Sequence, residues 1–429
     1  MHRAGHPAAP PAWADLLTAE RRRLVARLAR SLGLSHLALA EDAVQTASLR
    51  ALQRWPLDGV PGAPAAWLYR VARHAAIDAL RVAGRHDPWP EDDGPSDLPA
   101  LPAPSGRFAG ELDDDELALL FAACHPALPP ASQVALALRA LGGFDLAALA
   151  PLLFTTEAAL AQRLARARQA LAGEDLCVPA GPALPVRREA VLTTLALMFH
   201  QGQLASGRQG GAPAGQAAMA PCWEAIRLAR AVAAHPATAD ASADALAALL
   251  LLHGARLTGR IDEDGDIVPL PGQPRDRWDG GMLQLGFRHL QRSQRGGQLS
   301  RWHLQAGIAG EHARAASYAQ TDWPAIVRYY ALLVRLDPSV APRLGHAIAL
   351  AEAGSALEAH AQLLALLPQA PAALQANAMA ALARTCEQLG DAAAAARWWA
   401  QAVQAARHPA DQQCLQRQQA AAAGRRPDG

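Results

Sequence analysis

Apolar positions recur along most of the chain at spacings of three and four residues, the period of an amphipathic helix, and no convincing series of strands appears. The pattern predicts helices over Ala19–Ser31, Ala40–Arg54, Ala65–Val82, Asp113–Ala123, Ala131–Leu141, Asp145–Leu153 and Thr156–Ala172, then a long helical series from Arg187 to the C-terminus. Gly and Pro clusters punctuate them at Pro56–Pro64, Gly142-Gly143, Gly207–Gly215 and Pro269–Pro274. Ala, Leu, Arg and Gln dominate while β-branched and aromatic residues are scarce, so an all-α fold is expected. The last hundred residues carry a loose repeat whose helix-ending prolines, Pro338, Pro368 and Pro409, fall about 30 and 41 residues apart, bracketing the 34-residue tetratricopeptide period. Stacked helical hairpins of that kind form a concave surface for a protein or peptide partner; plain structural packing is the alternative.

Composition narrows the class. A chain of 429 residues accommodates about three domains of about 150 residues. With 51% hydrophobic and 18% charged residues it is globular, and no membrane span of roughly 18 apolar residues is expected. The first residues lack an apolar signal core, so a cytoplasmic protein is expected. Five dispersed cysteines without a C-x-x-C pair imply reduced thiols. All 40 basic residues are arginine. The net charge of +1 hides a pattern, because residues 1–86 carry +6, residues 87–118 carry −9, residues 119–175 balance, and the remainder carries +4. A basic block followed by an acidic, proline-rich stretch reads as a compact module and a flexible tether.

Two segments carry candidate chemistry. In the helix from Ala65 to Arg81, the helical wheel puts Leu68, Val71, Ala72, Ala75 and Ala79 on one face and Arg70, Arg73 and Arg81 on the other. Trp67, Tyr69 and His74 lie beside these arginines, a mixture that tracks phosphates and stacks on unpaired bases. From Asp145 to Arg168, two short helical patterns are joined by a tight break, with Thr155 or Thr156 able to cap the second. Leu160, Leu164, Ala167 and Leu171 make its apolar stripe, leaving Gln162, Arg166 and Gln169 opposite and Arg163 at the flank. Such a helix fits a major groove, where Arg reads guanine and Gln reads adenine; a generic helical hairpin is the bland alternative.

The order of these elements, Ala40-Glu-Asp-Ala-Val-Gln-Thr-Ala-Ser-Leu-Arg50 followed by Pro64 to Arg81, resembles conserved region 2 of extracytoplasmic-function (ECF) sigma factors of the sigma-70 family. The acidic tether and the segment ending Gln162-Arg-Leu-Ala-Arg-Ala-Arg168 resemble that family's linker and region 4. Cys124-His-Pro-Ala-Leu-Pro-Pro130, Arg139-Ala-Leu-Gly-Gly143 and Arg275-Asp-Arg-Trp-Asp279 are similar to the branch with a long tetratricopeptide-like extension. The resemblance implies region 2 over 12–86, a linker over 87–112, a region 4 helix-turn-helix over 113–175 and a C-terminal helical domain over 185–420. It implies that Asp42, Gln45 and Leu49 dock on the clamp of core RNA polymerase. The Leu57–Pro64 loop, Trp67, Arg70, Arg73, His74 and Arg81 would hold the non-template strand of the −10 element, and Gln162, Arg163 and Arg166 would meet the −35 element. Thr46 and Ser48 stand where the family usually has Glu and Phe, and His74 where Asn is usual. The implied partners are core RNA polymerase and promoter DNA, with a further protein on the C-terminal domain and no membrane. The rival is a helical-repeat interaction protein whose sigma modules no longer initiate transcription, a reading favoured by Thr46, Ser48 and Pro151.

Other candidate sites are rejected on spacing. Asp262-Glu-Asp-Gly-Asp266 has its glycine at the fourth place, where an EF-hand loop needs it at the sixth, so a turn is expected. Cys124-His125 is adjacent and the 15 histidines are dispersed, so no metal and no cofactor are expected. Without a P-loop, a nucleophile elbow or an H-E-x-x-H motif, no residues are left to carry enzymatic chemistry.

Overall fold

Each discrete helix predicted between Ala19 and Ala172 forms, and the series from Arg187 is helical over much of the described chain. A computed structural model describes residues 12–82, 114–172, 174, 177–205, 219–262, 266–296 and 298–424. The expected tether at 87–112 and the Gly207–Gly215 cluster lie outside these residues. Among the described residues eighteen α-helices form, and the one extended pairing is an isolated antiparallel bridge between Ile261 and Ile267. The fold is all-α. The chain divides into two compact units, Met1–Met198 with Ala234–Ala237, and Phe199–Ala233 with Thr238–Gly429.

The first unit is built from α1 (Ala12–Leu32), α2 (Leu37–Asp58), α3 (Pro64–Val82), α4 (Asp114–Ala123), α5 (Pro130–Ala140), α6 (Leu146–Leu152) and α7 (Glu157–Ala170). The division falls within α8 (Ala183–Ala205). Two boundaries differ from expectation. Helix α1 begins seven residues before Ala19, and α2 runs through Pro56 to Asp58, where Gly59 at φ +82° ends it. Pro56 sits in the last turn, so the backbone donor it lacks and its clash with the preceding turn disturb only the helix end.

Sequence reading suggested separate modules on either side of the tether, but the helices of 12–82 and 114–171 share one unit and pack against each other. Helix α1 contacts α2, α3, α4 and α5. Arg30 pairs with Asp115 at 2.7 Å and Arg22 lies 3.9 Å from Glu116. The deepest link is Glu41, 3% exposed on α2, which accepts from Arg139 Nε at 3.0 Å and Nη2 at 2.9 Å. Arg139 also donates to the Phe144 carbonyl at 3.0 Å. Burial pushes the Glu41 carboxyl up, opposed by Arg139 and Arg21. Arg21 is fitted against the turn after α5, where a Cβ on Gly143 would lie 2.5 Å from its guanidinium, and Gly143 itself has φ +71°. The Cys124–Pro130 turn is pinned by Gln133, whose amide donates to the carbonyls of His125 at 2.9 Å and Leu128 at 3.1 Å. The Thr194 hydroxyl in turn donates to Gln133 Oε1 at 2.8 Å.

The second unit runs from α9 (Ala220–Ala234) and α10 (Ala241–Gly254) through α11 (Gly280–Ser293) and α12 (Arg301–Arg314) to α13 (Trp323–Leu336), α14 (Val340–Glu352), α15 (Ala356–Leu366), α16 (Ala372–Gln388), α17 (Ala392–Ala405) and α18 (Pro409–Gly424). Successive helices from α12 onward pack on their neighbours, and α14 also touches α16. The starts of α13, α15 and α17 are 33 and 36 residues apart. Leu344, Ala347, Leu363, Leu366 and Leu382 form one core cluster, and Leu304, Ile308, Ile326, Leu333 and Ala349 form another.

The Arg275-Asp-Arg-Trp-Asp279 motif closes the turn before α11. Trp278 is 6% exposed, with Arg275 stacked 4.0 Å and Arg256 5.3 Å from its ring centre. Asp279 caps α11 by accepting from the Met282 N–H at 2.9 Å. The carboxylates of Asp262 and Asp266 are claimed by Arg417 of α18, at 3.1 and 3.4 Å, and Asp262 accepts from the Asp266 N–H. The turn expected here runs through residues 263–265, which lie outside the described residues.

Candidate nucleic-acid interface

Helix α2 presents Asp42, Gln45 and Leu49 on one outward face, at steps of three and four residues. All three are exposed, and Leu49 at 52% and Leu52 at 48% put aliphatic surface into water there. The opposite face, with Ala40, Val44, Ala47, Ala51 and Trp55, is buried. Arg50 and Arg54 are also exposed on α2. Their part in this surface, like that of Leu52, went unread because a helix wheel alone does not say which polar arc its neighbours leave open. Thr46 and Ser48 turn their hydroxyls back to the carbonyls of Asp42 and Val44, each at 2.9 Å.

Helix α3 packs on α2 through Leu68, Ala72 and Ala76. Val71 and Ala75 are half-buried and Ala79 is exposed, so the buried stripe is rotated toward Ala76 relative to the predicted face. Arg70, His74 and Arg81 are exposed, Arg73 is half-buried, and Arg81 lies 3.8 Å from the equally exposed Asp78. Trp67 is half-buried, its ring 5.6 Å from that of Trp55. The guanidinium of Arg27 sits 4.8 Å over the Tyr69 ring, so one face of that ring is already occupied. The end of α2 exposes Leu57 at 84%, and the short connection ahead of α3 exposes Val60 at 45%.

Helices α6 and α7 follow the predicted hairpin closely. Asp145 caps α6 by accepting from the Ala148 N–H at 2.7 Å, and Thr156 caps α7 by accepting from Ala159 N–H at 3.2 Å. Between them Phe154 adopts φ +51°, a left-handed turn residue that reverses the chain after Pro151. Leu160, Leu164, Ala167 and Leu171 are buried, as the stripe predicted. Gln162, Arg166 and Gln169 are exposed and Arg163 is half-buried. Helix α7 packs on α5 and α6. The structure thus joins the α2 and α3 residues on two packed helices, while Gln162, Arg163 and Arg166 occupy a face of a separate hairpin in the same unit.

The remaining chemistry is sparse. Burial pushes the Cys124 and Cys222 thiols up to about 12, which makes them poor nucleophiles. Among the described residues no cluster of His, Cys, Asp or Glu has the arrangement of a metal site. No helix there is long and apolar enough to cross a membrane.

Residues 17–86, which hold α2 and α3, match sigma-70 region 2, and residues 187–294 match a family of unknown function, DUF6596. The chain therefore carries a sigma-70 region 2 segment, which supports a sigma-70 family member and implies interaction with core RNA polymerase and promoter DNA. It also belongs to one family with an uncharacterised protein of Rhizobium meliloti (strain 1021), with which it is 36% identical over 348 residues, covering 79% of this chain and 80% of that one. No solved structure matches the chain.

Proposed function

We propose that the chain is an ECF-type sigma factor that directs core RNA polymerase to its promoters and helps melt the −10 element, itself performing no bond chemistry. The observation that carries this reading is the two-sided character of α3 inside the region 2 match: one side is packed on α2 while Arg70, His74 and Arg81 stand in solvent. Exposed guanidinium groups on a rigid helix suit phosphate tracking along a single strand. In this reading Trp67, Arg70, Arg73, His74 and Arg81 hold the non-template strand, with Leu57 to Pro64 beside them. Asp42, Gln45 and Leu49 engage the polymerase clamp, supported by their common exposure and by the aliphatic surface of Leu49 and Leu52. The α6–α7 hairpin acts as the region 4 helix-turn-helix, and Gln162, Arg163 and Arg166 read the −35 element, an assignment supported by the buried Leu160–Leu171 stripe opposite them.

The domains follow as region 2 over 12–86, the acidic linker over 87–112, region 4 over 113–175 and the helical extension over 185–420. The linker, rich in carboxylates, is suited to cationic channels of the polymerase; replacing its acids with Ser and Gln then alters polymerase binding or abortive initiation, and unchanged values for both refute that role. The 33- and 36-residue spacing of α13, α15 and α17 supports a tetratricopeptide-like extension that regulates the sigma modules or supports polymerase engagement.

Run-off transcription with purified core polymerase on promoter libraries tests the whole reading. A working sigma factor yields defined start sites; their absence, with polymerase binding retained, leaves the rival in which the modules serve only as an interaction platform. Arg70→Ala with Arg73→Ala is expected to reduce open-complex formation more than polymerase binding, and equal loss of both contradicts strand capture.

A further inference from the structure

The second unit contains two adjoining hollows that no role in promoter recognition uses. The larger, of about 370 Å³, lies among α14, α16 and α18, and Asn377, Gln388 and Gln418 give it polar groups beside aliphatic walls. The smaller, of about 250 Å³, is walled by His312, Tyr318, Trp323 and Tyr330, with the Pro269–Pro271 turn at its edge. Gly345, Ile348 and Arg384 line both, so the two hollows adjoin with an arginine between them. Helix α18 contributes Leu415 and Gln418 to the larger hollow, and the 269–271 turn contributes to the smaller.

The aromatic part is firmly built. The His312 and Tyr318 rings meet Trp323 edge to face, at 5.3 and 5.1 Å between centres. A Cβ on Gly345 would fall 2.4 Å from the Tyr330 ring, so glycine there lets that ring lie flat against α14. The charges are lopsided. Among the described residues Arg384 pairs with no carboxylate, and its Nη2 donates to the neutral amide oxygen of Gln418. Glu352 is the one carboxylate lining the hollows, and burial together with this carboxylate pushes the Tyr318 hydroxyl up. Behind His312 lie the guanidinium groups of Arg256 and Arg275, the latter bonded to the His312 carbonyl at 3.0 Å. His312 therefore stays neutral, its own pKa pushed down to about 4 by burial and these arginines. Three guanidinium groups against one carboxylate leave a net positive potential over aromatic walls.

We infer that this cavity binds a small organic acid, an apolar ring-bearing body with one carboxylate, the carboxylate taken by Arg384 and the body held against Trp323 and Tyr330. A guanidinium on a neutral amide gives up little when it turns to a carboxylate, and the charge-assisted pair it forms is stronger. The combined volume matches that of ordinary small-molecule sites, concave and mostly apolar with a few convergent polar groups. The site is independent of the promoter-directed role, since its readout is binding alone.

Isothermal titration of the full chain with phenylacetate, indole-3-acetate and 4-phenylbutanoate, each beside its primary amide, tests it. At least one acid is expected to bind about tenfold or more tightly than its amide, the ratio one charge-assisted hydrogen bond supplies. Arg384→Gln should bring that ratio within about twofold while leaving the amide's affinity unchanged, and Arg384→Lys should restore part of the preference by keeping the charge. Ile348→Trp, which fills the junction, should abolish binding of acid and amide alike. An acid preference short of tenfold throughout the series, a preference that survives Arg384→Gln, or binding undiminished by Ile348→Trp overturns the proposal.

Discussion

The chain uses arginine for every fixed positive charge, yet its two units spend those charges in opposite ways. In the first unit Arg70, Arg81 and Arg166 stand in water on helices whose other faces are packed. In the second unit Arg275 and Arg256 are drawn against the buried Trp278 ring, and burial pulls the Arg256 pKa down to about 10. The contrast teaches that a count of arginines says nothing about nucleic acid until their exposure is known. A guanidinium stacked on an indole has already exchanged its hydration for protein contacts, whereas one on an open helix face keeps its counterions to release on binding a phosphate. Arg139 is the exception that sharpens the rule, since in the first unit it is committed to the buried Glu41 carboxylate.

The largest expected effect comes from removing the stacked ring. Trp278→Ala should destabilise the protein by about 3–5 kcal/mol in chemical denaturation, because a buried indole and two cation contacts go together, and leave DNA recognition by the first unit untouched. Arg139→Ala should cost a similar or slightly smaller amount, about 3–5 kcal/mol, by stranding Glu41 without its partner. Loss of only a few tenths in either variant would mean that these arginines are as free as those on α3.

A smaller effect is expected from acid. His312 has a folded pKa of about 4, below its ordinary value of 6.5, so it contributes stability at neutral pH that is lost as pH falls through that window. His312→Gln should therefore show a flatter decline of stability between pH 6.5 and 4 than the parent chain; parallel curves would place the acid sensitivity elsewhere. Smaller again, Arg166→Ala should weaken discrimination at one promoter position by about 1–3 kcal/mol while changing the denaturation midpoint little, the reverse of Trp278→Ala. Last, Asp78→Ala, which removes the exposed partner of Arg81, should shift stability by less than about 0.5 kcal/mol.

Much of the fold could be read from spacing. The Leu160, Leu164, Ala167 and Leu171 stripe was legible because leucine at helical intervals is an unambiguous signal, and the exposed Gln162 and Arg166 followed from it. On α3 the same reasoning slipped, putting Ala79 inside where Ala76 is, because a run of alanines carries no contrast with which to orient the wheel. The candidate clamp residues Asp42, Gln45 and Leu49 were legible as a motif, but Leu52 and the neighbouring Arg50 and Arg54 became part of the same surface only when the packing of α1 and α3 left it open.

By itself, then, the sequence determined that the described parts of this protein are mostly helical, where its helices carry charge, and that a region 2 segment stands near its start, because period, capping residues and motif order are local properties of the chain. Tertiary structure alone decided which charges are available. The Glu41–Arg139 pair joins positions 98 residues apart, and Arg384 meets the Tyr318 and Trp323 box across more than sixty. Desolvation, which decides whether an arginine is a structural post or a binding group, depends on what the rest of the chain lays over it, and no local pattern records that.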